Sequence, residues 1–256
     1  MNLFKHSTEF RGALAWVDPR YGVFVPAIIT LVFSSVAWLL RGVTTSGAIA
    51  GAFICFLVYT NAGFGAFAAL VTVFFLAWLA TRFGYSQKQR LGIAEKREGR
   101  TALQVLANLG FAAICAGIYF ISHLNRFWLL GLAAALSEAA ADTVSSEIGQ
   151  AIGAQPRLIT TWRPVSRGSD GGVSLQGTLA GIAAAAIVSL VCVFGGLISW
   201  CWFGISVAAA TSGMLADSLL GATFERRRIL NNDGVNFLST AVAVVIGCLF
   251  VRMLAR

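Results

Sequence analysis

Two acidic motifs carry the most pointed chemistry in this chain. In SEAAADTVSSEIG, Glu138 and Asp142 stand four residues apart, and Ser145, Ser146 and Gly149 continue the same polar helical face. In LADSLLGAT, Ala216, Asp217 and Ser218 repeat the form of Ala141, Asp142 and Thr143. Both motifs lie in membrane-length apolar stretches, where a lone acid costs on the order of 2.5 to 3.5 kcal/mol on insertion scales and so faces a cavity or a partner. Two carboxylates from different helices, with hydroxyls beside them, suit a hard cation such as Mg²⁺ that keeps waters and also takes phosphate oxygens. They would equally hold a proton or Na⁺ in a transporter, and spacing alone does not choose. Glu147, further along the first motif, is a third candidate ligand.

The loop GAQPRLITTWRPVSRGSDGG joins Arg157, Arg163 and Arg167 to a turn of Gly168, Ser169, Asp170, Gly171 and Gly172 that runs into a helix start at Ser174. Glycines let backbone N–H groups approach an anion, a helix N-terminus favours negative charge, and arginines grip phosphate through two donors. The loop reads as a phosphate cradle, although no GxxxxGK[ST] signature is present. A third cluster is ERRRILNNDGVNFLST. Arg226 to Arg228 read as anchors at the membrane surface, while Asn232, Asp233 and Asn236 gather at the mouth of the final apolar stretch. Their side chains both donate and accept, which fits reading a nucleotide base or completing a metal site. Asn108 in QVLANLG, Arg82 and Thr44 are further polar residues near the same ends of their stretches.

The elements that must position these groups are apolar helices. The chain is 57% hydrophobic and 12% charged, with a mean hydropathy of +0.78, which excludes an ordinary soluble domain. Spans are expected near residues 23–40, 43–60, 62–80, 103–123, 127–150, 174–197, 202–221 and 235–251. The fold class is therefore an all-α polytopic membrane protein of about eight helices. Residues 1–22 read as a polar cap or interfacial segment and not as a signal peptide. Residues 23–256 read as one membrane domain. Of 19 Lys and Arg, 13 fall in loops on one face, headed by the segment Thr81 to Thr101, so that face is expected to be cytoplasmic. The five cysteines form no CxxC pair and read as small core residues. A ten-residue pattern occurs twice, GVTTSGAIAG from Gly42 and GVSLQGTLAG from Gly172, marking diverged halves near 40–150 and 170–252. Thr44 holds the place of Ser174 in the first copy.

The runs GVTTSGAIAG, TRFG, QVLANLG, AAADTVSSEIG, PRLITTWRPVSRGSDGGVSLQGTLAG, ADSLLGAT and NNDGVNFLSTA resemble, in this order, the DUF92 or TMEM19-like membrane family, over roughly residues 40 to 250. That family includes plant and cyanobacterial phytyl-phosphate kinases. The resemblance implies transfer of a phosphoryl group from a nucleoside triphosphate, CTP by family likeness, to a prenyl monophosphate. Asp142, Asp217 and Glu147 would serve Mg²⁺, with Asp233 near them. Arg157, Arg163, Arg167 and the turn from Gly168 to Ser174 would hold phosphates, and an apolar groove would take the prenyl tail. An acceptor that is already an ionised phosphate needs no strong base, in keeping with His6 and His123 lying on the expected outer side. Relatives carry a cysteine- and glycine-containing insert after ADSLLGAT, whereas here the chain passes directly through Glu225 to Leu230. The expected setting is the plasma (inner) membrane of a prokaryote with the active site on the cytoplasmic side, and no nucleic-acid partner. Two other readings stand beside the kinase: a secondary transporter with an intramembrane Asp site, and an enzyme that transfers CMP to a lipid phosphate.

Overall fold

Long apolar runs become helices in hydrocarbon because only an internally hydrogen-bonded backbone is stable there. The computed structural model describes residues 22–95, 98–152 and 154–254. The expected polar cap therefore lies almost wholly outside the described residues, as do Lys96 and Arg97. The order is α1 (Phe24–Leu39), α2 (Thr45–Arg82), α3 (Tyr85–Arg90), α4 (Ala102–Ile121), α5 (Phe127–Ile152), β1 (Arg157–Leu158), β2 (Gly172–Val173), α6 (Leu175–Phe194), α7 (Trp200–Leu220) and α8 (Asn232–Leu254). Among the described residues, six helices are long and apolar enough to cross a membrane, and α1 is a shorter apolar helix.

Two of the expected spans are fused. The helix α2 runs for 38 residues through both 43–60 and 62–80, but Gly63 breaks it with φ 84° and ψ −178°, a conformation open only to glycine. The break folds α2 back on itself. Trp78 Nε1 donates to Leu40 O at 3.2 Å, so the end of the second arm returns to the residues just before the first arm starts. Each arm rises about 27 Å at 1.5 Å per residue, close to the thickness of a bilayer core. The polytopic helical fold stands, with eight apolar helical segments among the described residues in place of eight separate helices.

At the centre lies α5, buried without interruption from Leu129 to Ala141 and packed on α2, α4, α6, α7 and α8. Its sequence LLGLAAALSEAAAD explains this place, because small side chains let neighbouring backbones approach closely. A buried chain of hydroxyls ties α5 to α6 and α7: Ser137 to Ser189 and Ser189 to Ser206, each at 2.9 Å. Both copies of the repeated pattern start helices in the same way. Thr44 accepts from Gly47 N, and Ser174 accepts from Gly177 N, each at 3.2 Å. These N-caps satisfy one of the orphan donors at each helix start.

Candidate functional site

Where α5 and α7 leave the core, Asp142 and Asp217 face a polar pocket of about 150 Å³. Its other walls are the turn Gly168–Gly172 with Ser174, and Ser145, Ser218, Glu225 and Asn232. The turn is held by the short β1–β2 pairing, Arg157 opposite Val173 and Leu158 opposite Gly172. Gly171 has φ 73°, and a Cβ there would stand 2.4 Å from the Cβ of Ala222, so only glycine lets the turn close on the end of α7. Gly221–Glu225 form a π-helical turn, which carries Glu225 into the pocket. Such turns are frequent at functional sites. Four carboxyl groups, Asp142, Asp170, Asp217 and Glu225, thus face one guanidinium, that of Arg167.

Glu138 lies one turn deeper on α5, 1% exposed, within electrostatic reach of Asp142 and Asp217. Its Oε2 accepts from Thr240 Oγ1 at 2.7 Å, whereas its Oε1 is buried with no hydrogen-bond partner among the described residues. An orphaned buried oxygen costs about 1 to 3 kcal/mol, more for a charged group. Hard oxygen donors set this close are the donor set that Mg²⁺ takes, although no group of three or more His, Cys, Asp or Glu among the described residues is arranged to hold a metal alone. Water and phosphate oxygens would have to complete the shell.

A second cavity, about 480 Å³, lies beside the first between α1, both arms of α2, α4 and α5. Its walls are largely apolar, including Phe33, Leu70, Val73 and Phe74, and its rim carries Arg41, Arg82 and Arg100. The first copy of the repeated pattern borders this groove through Gly42, Val43 and Gly47, and the second borders the polar pocket through Gly172, Val173 and Ser174. The two cavities are joined twice. Arg100 Nη2 donates to Thr143 Oγ1 at 3.2 Å, next to Asp142. With its amide turned to satisfy both ends, Asn236 donates to Asp217 Oδ2 at 3.1 Å and accepts from Asn108 Nδ2 at 3.2 Å.

The sequence model of the integral membrane protein family DUF92 matches residues 28–244, a range that encloses every residue lining the two cavities. The chain belongs to this family. Among DUF92-like relatives, it is 36% identical over 234 residues to the uncharacterized membrane protein MJ0933 of Methanocaldococcus jannaschii, covering 89% of this chain and 93% of that one. It is 31% identical over 226 residues to the chloroplastic protein VTE6 of Arabidopsis thaliana, covering 85% and 68%. It is 36% identical over 196 residues to the uncharacterized membrane protein sll0875 of Synechocystis, covering 73% and 76%. No solved structure matches the chain.

In this DUF92 protein the expected site residues divide into three groups. Asp142, Asp217, Arg167, Gly168, Ser169, Asp170, Gly171, Gly172, Ser174 and Asn232 come together in the polar pocket. Arg82 and Asn108 line the groove, and Thr44 sits at its edge, where its N–H donates to Arg100 O at 3.0 Å. Of the remainder, Asn236 bridges the two through Asp217 and Asn108, and the others stand apart from both. Glu147 is buried against Lys88, and Thr81 Oγ1 donates to its Oε1 at 3.0 Å, so both oxygens are engaged away from the acids expected to share its metal. Arg157 donates to Trp162 O at 2.8 Å and Arg163 is exposed, and neither lines the pocket. Asp233 lies in the first turn of α8 and lines neither cavity. Arg167 divides its donors, reaching the end of α5 through Gln150 O and Ala151 O at 3.4 Å each.

Three residues of the arrangement escape sequence reasoning. Arg100 looks like one more basic loop residue. Glu225 looks like the lead-in to three surface arginines, and Lys88 like a solvated loop charge, yet Lys88 is fully buried. A signal existed only for Glu225, in the continuation of the Asp217 face beyond ADSLLGAT.

Proposed function

We propose that this protein is a membrane-embedded kinase that moves a phosphoryl group from a nucleoside triphosphate, CTP by family likeness, to a prenyl monophosphate. The observation that carries the reading is the opposite charge of two adjoining cavities. The polar pocket sets four carboxyl groups against Arg167 and would repel a bare triphosphate, but accepts one that arrives with a divalent cation. The groove sets three arginines against Glu95 over apolar walls, and suits an anion with an apolar tail. Their lining residues Ala139 and Asp142 lie one helical turn apart on α5, about 4.5 Å in rise.

Asp142 and Asp217 would hold Mg²⁺, which when bound neutralises phosphate charge and aligns the terminal phosphoryl group. The Gly168–Gly172 turn and the N-terminus of α6 at Ser174 present backbone donors to the nucleotide phosphates. Arg100, between the cavities, stands where charge builds as an oxygen of the lipid phosphate bonds to the terminal phosphorus. The bond from that phosphorus to its bridging oxygen breaks, and the nucleoside diphosphate leaves. No residue need remove a proton, because a phosphate monoester is already largely ionised near neutral pH. Asn108 and Asn236 hold Asp217 in place from the groove side. The positive-inside rule supports placing the basic face of the helices in the cytoplasm.

The test is turnover of purified protein in lipid nanodiscs with geranylgeranyl monophosphate and each nucleoside triphosphate. Asp142→Asn and Asp217→Asn should each lower kcat at least 100-fold without loss of folding. Full activity in both variants would remove these acids from the reaction.

A further inference from the structure

Glu138 carries a carboxyl group that neither cavity uses. It lines neither the polar pocket nor the groove, and α7 and α8 close over it. Gly213 of α7 shows how tight the closure is, since a Cβ there would stand 2.6 Å from Glu138 Cγ and 2.9 Å from Ser239 O. The carboxyl group is also short of donors. Thr240 Oγ1 lies 2.7 Å from its Oε2, and the hydroxyl of Ser239 is within hydrogen-bonding reach of both Glu138 and Asp217. Each hydroxyl has a single proton, yet Ser239 Oγ and Thr240 Oγ1 also lie 2.9 Å and 2.8 Å from Asn236 O. Two protons thus serve Glu138, Asp217 and a backbone carbonyl, and Glu138 Oε1 is left with none. Arg100 is in electrostatic contact with Asp142, but among the described residues no Lys or Arg lies within salt-bridge distance of Glu138. Lone pairs gathered around an unpaired acid at membrane depth call for a cation from outside.

We infer that Glu138 Oε1, the hydroxyls of Ser239 and Thr240 and the Asp217 carboxylate form a seat for one Na⁺ ion, a helical turn below the Mg²⁺ proposed at Asp142 and Asp217. With both hydroxyl protons turned to Asn236 O, Ser239 and Thr240 present lone pairs to the ion. Mg²⁺ keeps several of its waters, and the closed walls leave no room for them. A monovalent ion sheds water at lower cost, and the close approach of Gly213 favours Na⁺ over the larger K⁺. One positive charge also matches the one acid of the three that has neither Arg100 nor the pocket beside it. The way in is through the polar pocket, past Asp142 and Asp217. Once seated, the ion relieves the repulsion of Glu138 on Asp142 and Asp217 and holds Asp217 from below, as Asn236 does from the side. The seat stands on this geometry alone, and only its effect on turnover rests on the proposed kinase reading.

Uptake of radiolabelled sodium by the full chain in nanodiscs of zwitterionic lipid, with EDTA and with choline chloride holding the ionic strength, tests this without any turnover. Wild type should take up sodium saturably, about one ion per chain, and melt higher in sodium than in choline, because a ligand of the folded state raises Tm. Glu138→Gln keeps the shape and removes the charge; it should lose at least tenfold in sodium affinity and melt no lower than wild type in choline. Thr240→Val should lose at least threefold. Equal melting of wild type in sodium and choline, with no saturable uptake, overturns the seat and leaves a proton as the balancing charge on Glu138. Uptake unchanged in both variants, or sodium displaced by added Mg²⁺, places the ion elsewhere and overturns it as well. Equal competition by potassium overturns the choice of Na⁺. Sodium uptake by a protein that yields no nucleoside diphosphate leaves the seat standing and removes the kinase reading, whereas turnover indifferent to sodium, with no uptake, removes the seat alone.

Discussion

Replacing Lys88 with Met removes one half of a buried ion pair that joins α3 to α5. The ammonium of Lys88 is fully buried, and all three of its donors are used, on Ala80 O at 3.2 Å, Thr81 O at 2.9 Å and the carboxylate of Glu147. Glu147 is 5% exposed and keeps only the hydroxyl of Thr81 once Lys88 is gone. Stranding one partner of such a pair costs about 3 to 5 kcal/mol, whereas replacing both with apolar residues is often nearly neutral. Lys88→Met and Glu147→Met should therefore each destabilise by about that much, lowering Tm by roughly 6 to 20 °C for a domain of this size. The double variant still leaves the Ala80 and Thr81 carbonyls short of a donor, at about 1 to 3 kcal/mol, so it should recover half or more of the loss from the two single changes combined. Thermal unfolding in nanodiscs gives the three values, and turnover at a temperature where all variants are folded gives the rest. A double variant as unstable as the two singles added together would refute the pairing. A stable double variant with no turnover would return Glu147 to the chemistry.

Three further outcomes follow from single contacts. Gly171→Ala forces a Cβ against Ala222 and strains a φ of 73°, so turnover should fall at least tenfold, with a stability loss of about 1 to 3 kcal/mol by thermal melting. Asn236→Leu cuts the link from Asn108 to Asp217 and should lower kcat about tenfold, on the order of the cost of one lost hydrogen bond to a charged group. The KM for the nucleotide should change little, as a kinetic titration would show. Ser189→Ala removes the middle of the buried hydroxyl chain from Ser137 to Ser206, at about 0.5 to 1.5 kcal/mol in a melting experiment and with kcat preserved.

What the sequence discloses and what it hides divide along local and long-range physics. Spans of about 20 apolar residues are local, and each expected span coincides with an observed helical segment. The fusion at Gly63 is the exception, because a single glycine in an apolar run looks like packing until its φ is known. The repeated pattern was legible as two helix starts, and both Thr44 and Ser174 cap their helices as the pattern suggests. Asp142 and Asp217 stand out because an acid in an apolar helix is costly wherever it points. Glu147 has the same local look, but its partner Lys88 lies 59 residues away in the short helix α3, in a basic stretch whose charges resemble any surface lysine. Arg100 and Asn236 gain meaning only from the neighbours that tertiary packing gives them. The arginines at 157 and 163 show the converse, since proximity in sequence to a glycine turn does not aim a long side chain into it.

The central claim is that the acidic pocket and the arginine-rimmed groove hold the two substrates of one phosphoryl transfer. Phosphorus NMR of wild-type protein given geranylgeranyl monophosphate, CTP and Mg²⁺ follows both products at once. The account predicts lipid diphosphate and CDP rising in equal amounts, and neither signal with Asp217→Asn. Pyrophosphate in place of CDP would move the reaction to CMP transfer, and an unchanged spectrum together with nucleotide-independent lipid or ion flux would contradict the account.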